Sequence, residues 1–190
     1  MIDPIEPIRL MSFCYPCPTM DWFTRFAAFG IVKLTCPNGV SAELPPVWHS
    51  ELLLPKSHGY RRVTSTIGDS LWHNLQGKSG FTTVPRAEGY QAGAWIETPL
   101  PGLDPERIRV WMTEESGSYD FLGVPRARFK CWHRSPYRWW CTEAAAAALS
   151  RLGLSGYVEP WNYNPATLVQ DLWTRHAYSS KKLSYTIATA

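Results

Sequence analysis

The chain has 190 residues, 19 Lys and Arg against 16 Asp and Glu, a formal net charge of +3, 45% hydrophobic residues, ten Trp and five Cys. That length suits one domain, or one domain with a short appendage, and large aromatic rings allow it a substantial core. Its small positive excess contains no Lys/Arg block, which argues against a nucleic-acid binder held by many phosphate contacts. No apolar run approaches the roughly 18 residues of a membrane span, and an odd number of cysteines does not close a complete disulfide framework.

Residues 1–20 are rich in Pro and Cys and read as an extended segment without the basic start and apolar stretch of a secretory signal. Folding in a cytoplasm is therefore expected. Asp21 is placed to cap a short helix over residues 22–29 that Gly30 would end. Strand signals follow at 30–36, closed by a Pro37-Asn38-Gly39 turn, and again at 47–54, closed by Pro55. Residues 60–67 form another strand candidate, ended by Gly68-Asp69. Residues 69–93 carry no clear period. A strand is expected within 90–98, including Ala94 to Glu97, and Pro99 to Pro101 would break it.

Asp104-Pro105-Glu106 reads as an N-cap, a proline in the first turn and an acidic first turn, starting a helix that runs to about Glu115. Cys141 heads an alanine-rich helix whose apolar side includes Leu149 and which Gly153 would stop. Asn164-Pro165 starts a last helix through Leu168, Leu172 and Trp173. The tail past Ser179 reads as a strand or as loose chain. This reading divides the chain into an N-terminal extension (1–30), a main domain (31–178) and a C-terminal tail (179–190).

Chemistry centres on Cys141. A cysteine in the first turn of a helix feels the positive end of the dipole, which favours the nucleophilic thiolate. The plainer alternative is a small buried residue that packs the helix start. A cysteine nucleophile needs a base, usually His, delivered by the fold. Of five histidines, His49 stands inside a strand, where alternation puts His49, Glu51 and Leu53 on one face. The plainer reading of His49 is a half-buried ring on a sheet surface. Glu143 reads as a first-turn charge favoured by the helix dipole, or as a residue lining the cleft.

The motif His49-Ser50-Glu51-Leu52-Leu53-Leu54 resembles the His-bearing strand of the permuted branch of the NlpC/P60 superfamily, papain-like cysteine hydrolases in which the His strand precedes the nucleophile. Trp140-Cys141-Thr142-Glu143 with the following alanines resembles that branch's cysteine helix. Tyr119-Asp120-Phe121-Leu122-Gly123 and Asn164-Pro165 resemble its flanking elements. The resemblance spans about residues 45 to 173. It implies an α+β papain-like core, in which an antiparallel sheet packs against the helix carrying Cys141. Cys141 would be the nucleophile and His49 the general base.

The resemblance places the residue orienting His49 on the strand after it, where Thr64, Ser65 and Thr66 are available; Ser65 is taken as the expected third member. Glu51 is the acidic alternative, but two residues along one strand are roughly 6.5–7 Å apart, which suits shaping the cleft better than holding the ring.

The resemblance implies an amide substrate, foremost peptidoglycan peptide. It also admits a place among phage tail proteins: a virion location for a phage-encoded chain made in the host cytoplasm, and a cytoplasmic one otherwise. Two alternatives stand beside it. One is a structural or assembly protein of a tail tip that keeps a papain-like fold. The other is a thioesterase or acyltransferase acting on lipid. No cofactor and no metal is expected. Cys14-Tyr15-Pro16-Cys17 has zinc-type spacing, yet the chain has no second such pair. His49-Ser50-Glu51 matches the first half of a zinc-deaminase motif, but its cysteine pair lies on the wrong side.

Overall fold

The computed structural model describes residues 6–14, 22–35, 46–59, 61–66, 80–83, 93–120, 123–129 and 137–185. They form an α+β fold. Its strands are β1 (Ile8–Cys14), β2 (Val47–Leu53), β3 (Arg62–Thr66), β4 (Gly80–Thr82), β5 (Gly93–Leu100), β6 (Ser118–Tyr119), β7 (Arg138–Trp139) and β8 (Lys181–Tyr185). They make one sheet in the order β7-β6-β4-β3-β2-β1-β5-β8. Every pairing is antiparallel except β6 with β7, so the sheet is mixed rather than wholly antiparallel.

The sheet redraws the expected domain boundaries. β1 lies between β2 and β5, with Leu10 opposite both Leu52 and Thr98. Six of its seven residues are buried, as expected of a strand covered on both faces. The segment set aside as an extension therefore supplies a central strand. β8, in the supposed tail, pairs with β5 from Glu97↔Lys181 to Gly93↔Tyr185. Pro99 does not break β5, because it lies beyond the last β8 pair and no ladder partner is lost on that side.

Helix α1 (Trp22–Thr35) corrects a second expectation. It runs straight through Gly30, where a strand was expected to begin. A β-carbon at Gly30 would meet nothing within 4 Å, so neither crowding nor a turn imposes a stop there. The β-branched Ile31 and Val32 lower helix propensity only slightly, and burying Ala28 and Ile31 against β2 outweighs that cost.

Two of the remaining helical segments begin at side-chain caps. Asp104 accepts a hydrogen bond from the Glu106 N–H at 3.0 Å. It opens a 3-10 turn (Pro105–Ile108) that leads into α2 (Arg109–Glu114). Next come α3 (Gly123–Phe129) and α4 (Cys141–Arg151). α5 (Pro165–His176) begins with a reciprocal capping box between Asn164 and Thr167.

α4 is buried all round: every residue from Cys141 to Leu149 is at most 1% exposed. A helix enclosed by protein needs small side chains, so Ala144 to Ala148 let its backbone approach β2 and β3 closely. One face of the sheet, with Leu10, Leu52, Val63 and Ile96, packs on α4 and α5. The other, with Met11, Phe13, Leu53 and Trp95, packs on α1 and α3.

Because β1 is internal, Leu10→Ala will destabilise the protein by about 2–5 kcal/mol in urea unfolding; a loss well under 1 kcal/mol would mean that the strand is peripheral.

Candidate active site

The site forms where the sheet divides. β2 and β3 are paired at Leu52↔Val63 and Leu53↔Arg62. Beyond that point β3 pairs with β4 instead, and the start of α4 occupies the opening. The backbone groups of Ser50 that face β3 then find new partners. Its carbonyl accepts from the Thr64 hydroxyl at 2.9 Å, and its N–H donates to the Cys141 sulfur. A strand edge thus replaces ladder bonds with bonds to the site.

Cys141 is the first residue of α4, preceded by Trp140 in extended conformation with no side-chain cap. The first-turn N–H groups therefore spend nothing on a capping side chain, and the helix dipole bears on the sulfur. The Thr142 hydroxyl lies 3.7 Å from that sulfur. His49 comes from β2, opposite Phe13 of β1, and its imidazole lies beside Cys141, near enough for each group to shift the other's proton affinity. The two residues singled out from the sequence are therefore in contact.

Glu51 is the group beside the ring. Its carboxylate Oε2 is 3.6 Å from His49 Nε2, an ion-pair contact rather than a close hydrogen bond, and 3.8 Å from Arg62 Nη1. The spacing of 6.5–7 Å expected between them holds for backbones. Two long side chains on the same face close that gap by leaning along the strand. Ser65 does not serve as the orienting residue. It follows Val63, which pairs with Leu52, so it lies on the other face from His49. Its buried hydroxyl donates to the Trp139 carbonyl at 2.7 Å and holds the segment that enters α4. The side chain of Thr66 lies outside the described residues.

The electrostatics follow from burial set against pairing. Burial alone pushes the His49 imidazole down, but hydrogen bonding to Cys141 and the contact with Glu51 reverse this and raise it to about 9. Burial likewise pushes the Cys141 thiol up. The imidazolium, the Ser50 N–H and the Thr142 hydroxyl overcome it, leaving the thiol below its ordinary value. Both directions favour a thiolate–imidazolium pair over a thiol and a neutral imidazole.

Tyr119 of β6 borders the same place. Burial, then the neighbouring charges of Cys141 and Asp120, hold its phenol far above the usual value. It was visible in the sequence only as part of the Tyr119-Asp120 element. Phe13, Trp48, Trp95 and Trp140 complete an apolar surround, in which Cys141 is 1% exposed. Glu143 is fully buried, so it does not line an open cleft.

Other expected groups lie elsewhere. Cys14 is buried in β1, while Cys17, Cys36 and Cys131, with His73 and His133, lie outside the described residues. His58 sits between Ser57 and Glu106 at the surface, and His176 stacks on Tyr157. Among the described residues no group of three His, Cys, Asp or Glu side chains could hold a metal ion. A surface cavity of about 200 Å³ lined by Trp139, Ala147, Arg151 and Trp161 lies on the later turns of α4, away from Cys141. No protein-family model, curated protein or solved structure matches the chain.

The Cys141-dependent ultraviolet thiolate absorbance, read against Cys141→Ser, will already be present at neutral pH and will vanish there in His49→Ala, because burial then acts on the thiol without its counter-charge. Glu51→Gln will draw the alkaline edge of the ion-pair window down from about 9. An unchanged neutral-pH absorbance in Cys141→Ser would rule the pair out.

Proposed function

We propose that the chain is a cysteine hydrolase of papain-like type, cleaving an amide bond with Cys141 as nucleophile and His49 as base. The observation that carries this reading is the buried Cys141–His49 pair at an uncapped helix N-terminus, each group shifting the other toward its charged form, with Glu51 3.6 Å from the ring. A buried cysteine kept only for packing has no need of an imidazole, a strand-edge N–H and a hydroxyl that all favour its anion.

In this reading Glu51 faces Nε2 of His49, so the proton of the thiol passes to Nδ1. The thiolate attacks the substrate carbonyl carbon. The carbonyl oxygen takes the charge, and backbone N–H groups at the start of α4, including that of Cys141, stabilise it. Collapse breaks the C–N bond; the leaving amine takes the proton from the imidazolium, and a thioester remains on Cys141. Water then gives a proton to His49 and attacks the thioester, and collapse expels the Cys141 thiolate and releases the acid, restoring the thiolate–imidazolium pair.

The resemblance to the permuted NlpC/P60 branch supplies the substrate class, peptidoglycan peptide, and the setting, a phage tail that would carry the enzyme to the wall. The apolar and aromatic surround of Cys141 favours a second reading, a thioesterase or acyltransferase on lipid, in which the same pair acts on an acyl chain lodged among those rings.

His49→Ala will lower peptide release from purified peptidoglycan about 10²–10⁴-fold, Cys141→Ala will abolish it, and Glu51→Gln will cost less than either. Release by Cys141→Ala at the wild-type rate would defeat the hydrolase reading. Turnover of long-chain acyl thioesters, with peptidoglycan untouched, would select the lipid reading.

A further inference from the structure

α1 turns two different faces to its surroundings. Inward, Ala28 and Ile31 are buried in the apolar cluster that also holds Cys141, Trp140 and Tyr119. Outward, Trp22, Phe26 and Phe29 are 80%, 72% and 47% exposed. Their spacing of four and three residues puts them on one stripe, and Lys33 continues it after another four. Lys33 Nζ lies 5.5 Å from the Phe29 ring centroid, and Arg25 is also exposed. The helix contains no Asp or Glu. From Trp22 to Lys33 the stripe runs for about 17 Å.

Large aromatics standing in water along a whole helix face are costly unless something covers them. Here they are interleaved with the exposed cations Arg25 and Lys33. That combination is the signature of a helix lying in the plane of a membrane surface, with rings at the headgroup–acyl boundary and basic groups on anionic headgroups. A second copy is the poorer occupant: α1 packed on its symmetry mate would oppose Arg25 and Lys33 to the same cations. We propose that α1 is an interfacial helix that docks the protein on an anionic lipid surface through Trp22, Phe26 and Phe29, with Arg25 and Lys33 on the headgroups. No helix among the described residues is long and apolar enough to cross a membrane, so the attachment is peripheral. Since the inner face of α1 packs on the cluster around Cys141, docking places that site next to the bilayer. The proposal does not depend on the hydrolase reading.

The test is flotation of the full chain with phosphatidylcholine vesicles and with vesicles one-third phosphatidylglycerol. Wild type will float with the anionic vesicles at least tenfold more than with the neutral ones, and added salt will release it by screening. Trp22→Ser/Phe26→Ser/Phe29→Ser will lose flotation. Arg25→Glu/Lys33→Glu, which leaves the rings in place, will lose it at least tenfold. Thermal melts confirm that each variant folds, as expected of exposed positions. The proposal is overturned if wild type stays below both vesicle types, or if both variants float as wild type does. It is equally overturned if wild type elutes as a dimer that the triple serine variant converts to a monomer, with no flotation in either.

Discussion

The parting of β2 from β3 is the constraint on which the site depends. A sheet normally satisfies each strand-edge N–H and C=O with the next strand. Here the ladder holds at Leu52 and Leu53 and then opens. The groups it releases are satisfied by Thr64 and by the Cys141 sulfur. Ser65 ties the other side of the opening to Trp139, two residues before Cys141. The helix start is thus held by polar bonds from both strands.

Such an arrangement tolerates only a slender helix. Ala144 and Ala147 meet Trp139, while Ala145, Ala146 and Ala148 meet the sheet core. Longer side chains at these places would push α4 off the sheet and carry Cys141 away from His49. Close packing is demanded elsewhere near the site too: a β-carbon on Gly123 would sit 2.7 Å from Trp140 Cδ1, and one on Gly80 2.1 Å from the Gly117 carbonyl oxygen.

Burial and charge work against each other at this point. A buried thiolate or imidazolium alone is disfavoured by desolvation, and pairing opposes that cost because each ion supplies what the other lacks. Glu51, fully buried, extends the alternation to Arg62 at the partly exposed edge. The chain of charges therefore runs from solvent to sulfur, within walls that are otherwise aromatic. A dry surround strengthens each of these interactions.

The parts legible in the sequence are those set by neighbours along the chain. The alanine run and Gly153 mark α4, Asn164-Pro165 marks the start of α5, and alternation puts His49 and Glu51 on one face of β2. Contacts between distant segments are not written in any local pattern. Nothing in residues 8–14 announces a strand flanked by β2 and β5, because a strand buried on both faces has no period to display. Nothing in residues 22–35 decides helix over strand at Gly30 until Ala28 and Ile31 are seen to bury against β2. Ser65 and Glu51 were both chemically suited to hold His49. Which of them does so depends on the face of β3 and on side-chain reach, and register and packing decide those in three dimensions. Local order thus determined the candidate pair, Cys141 and His49. The opening between β2 and β3 alone decided that they meet, and that Glu51 is the residue beside them.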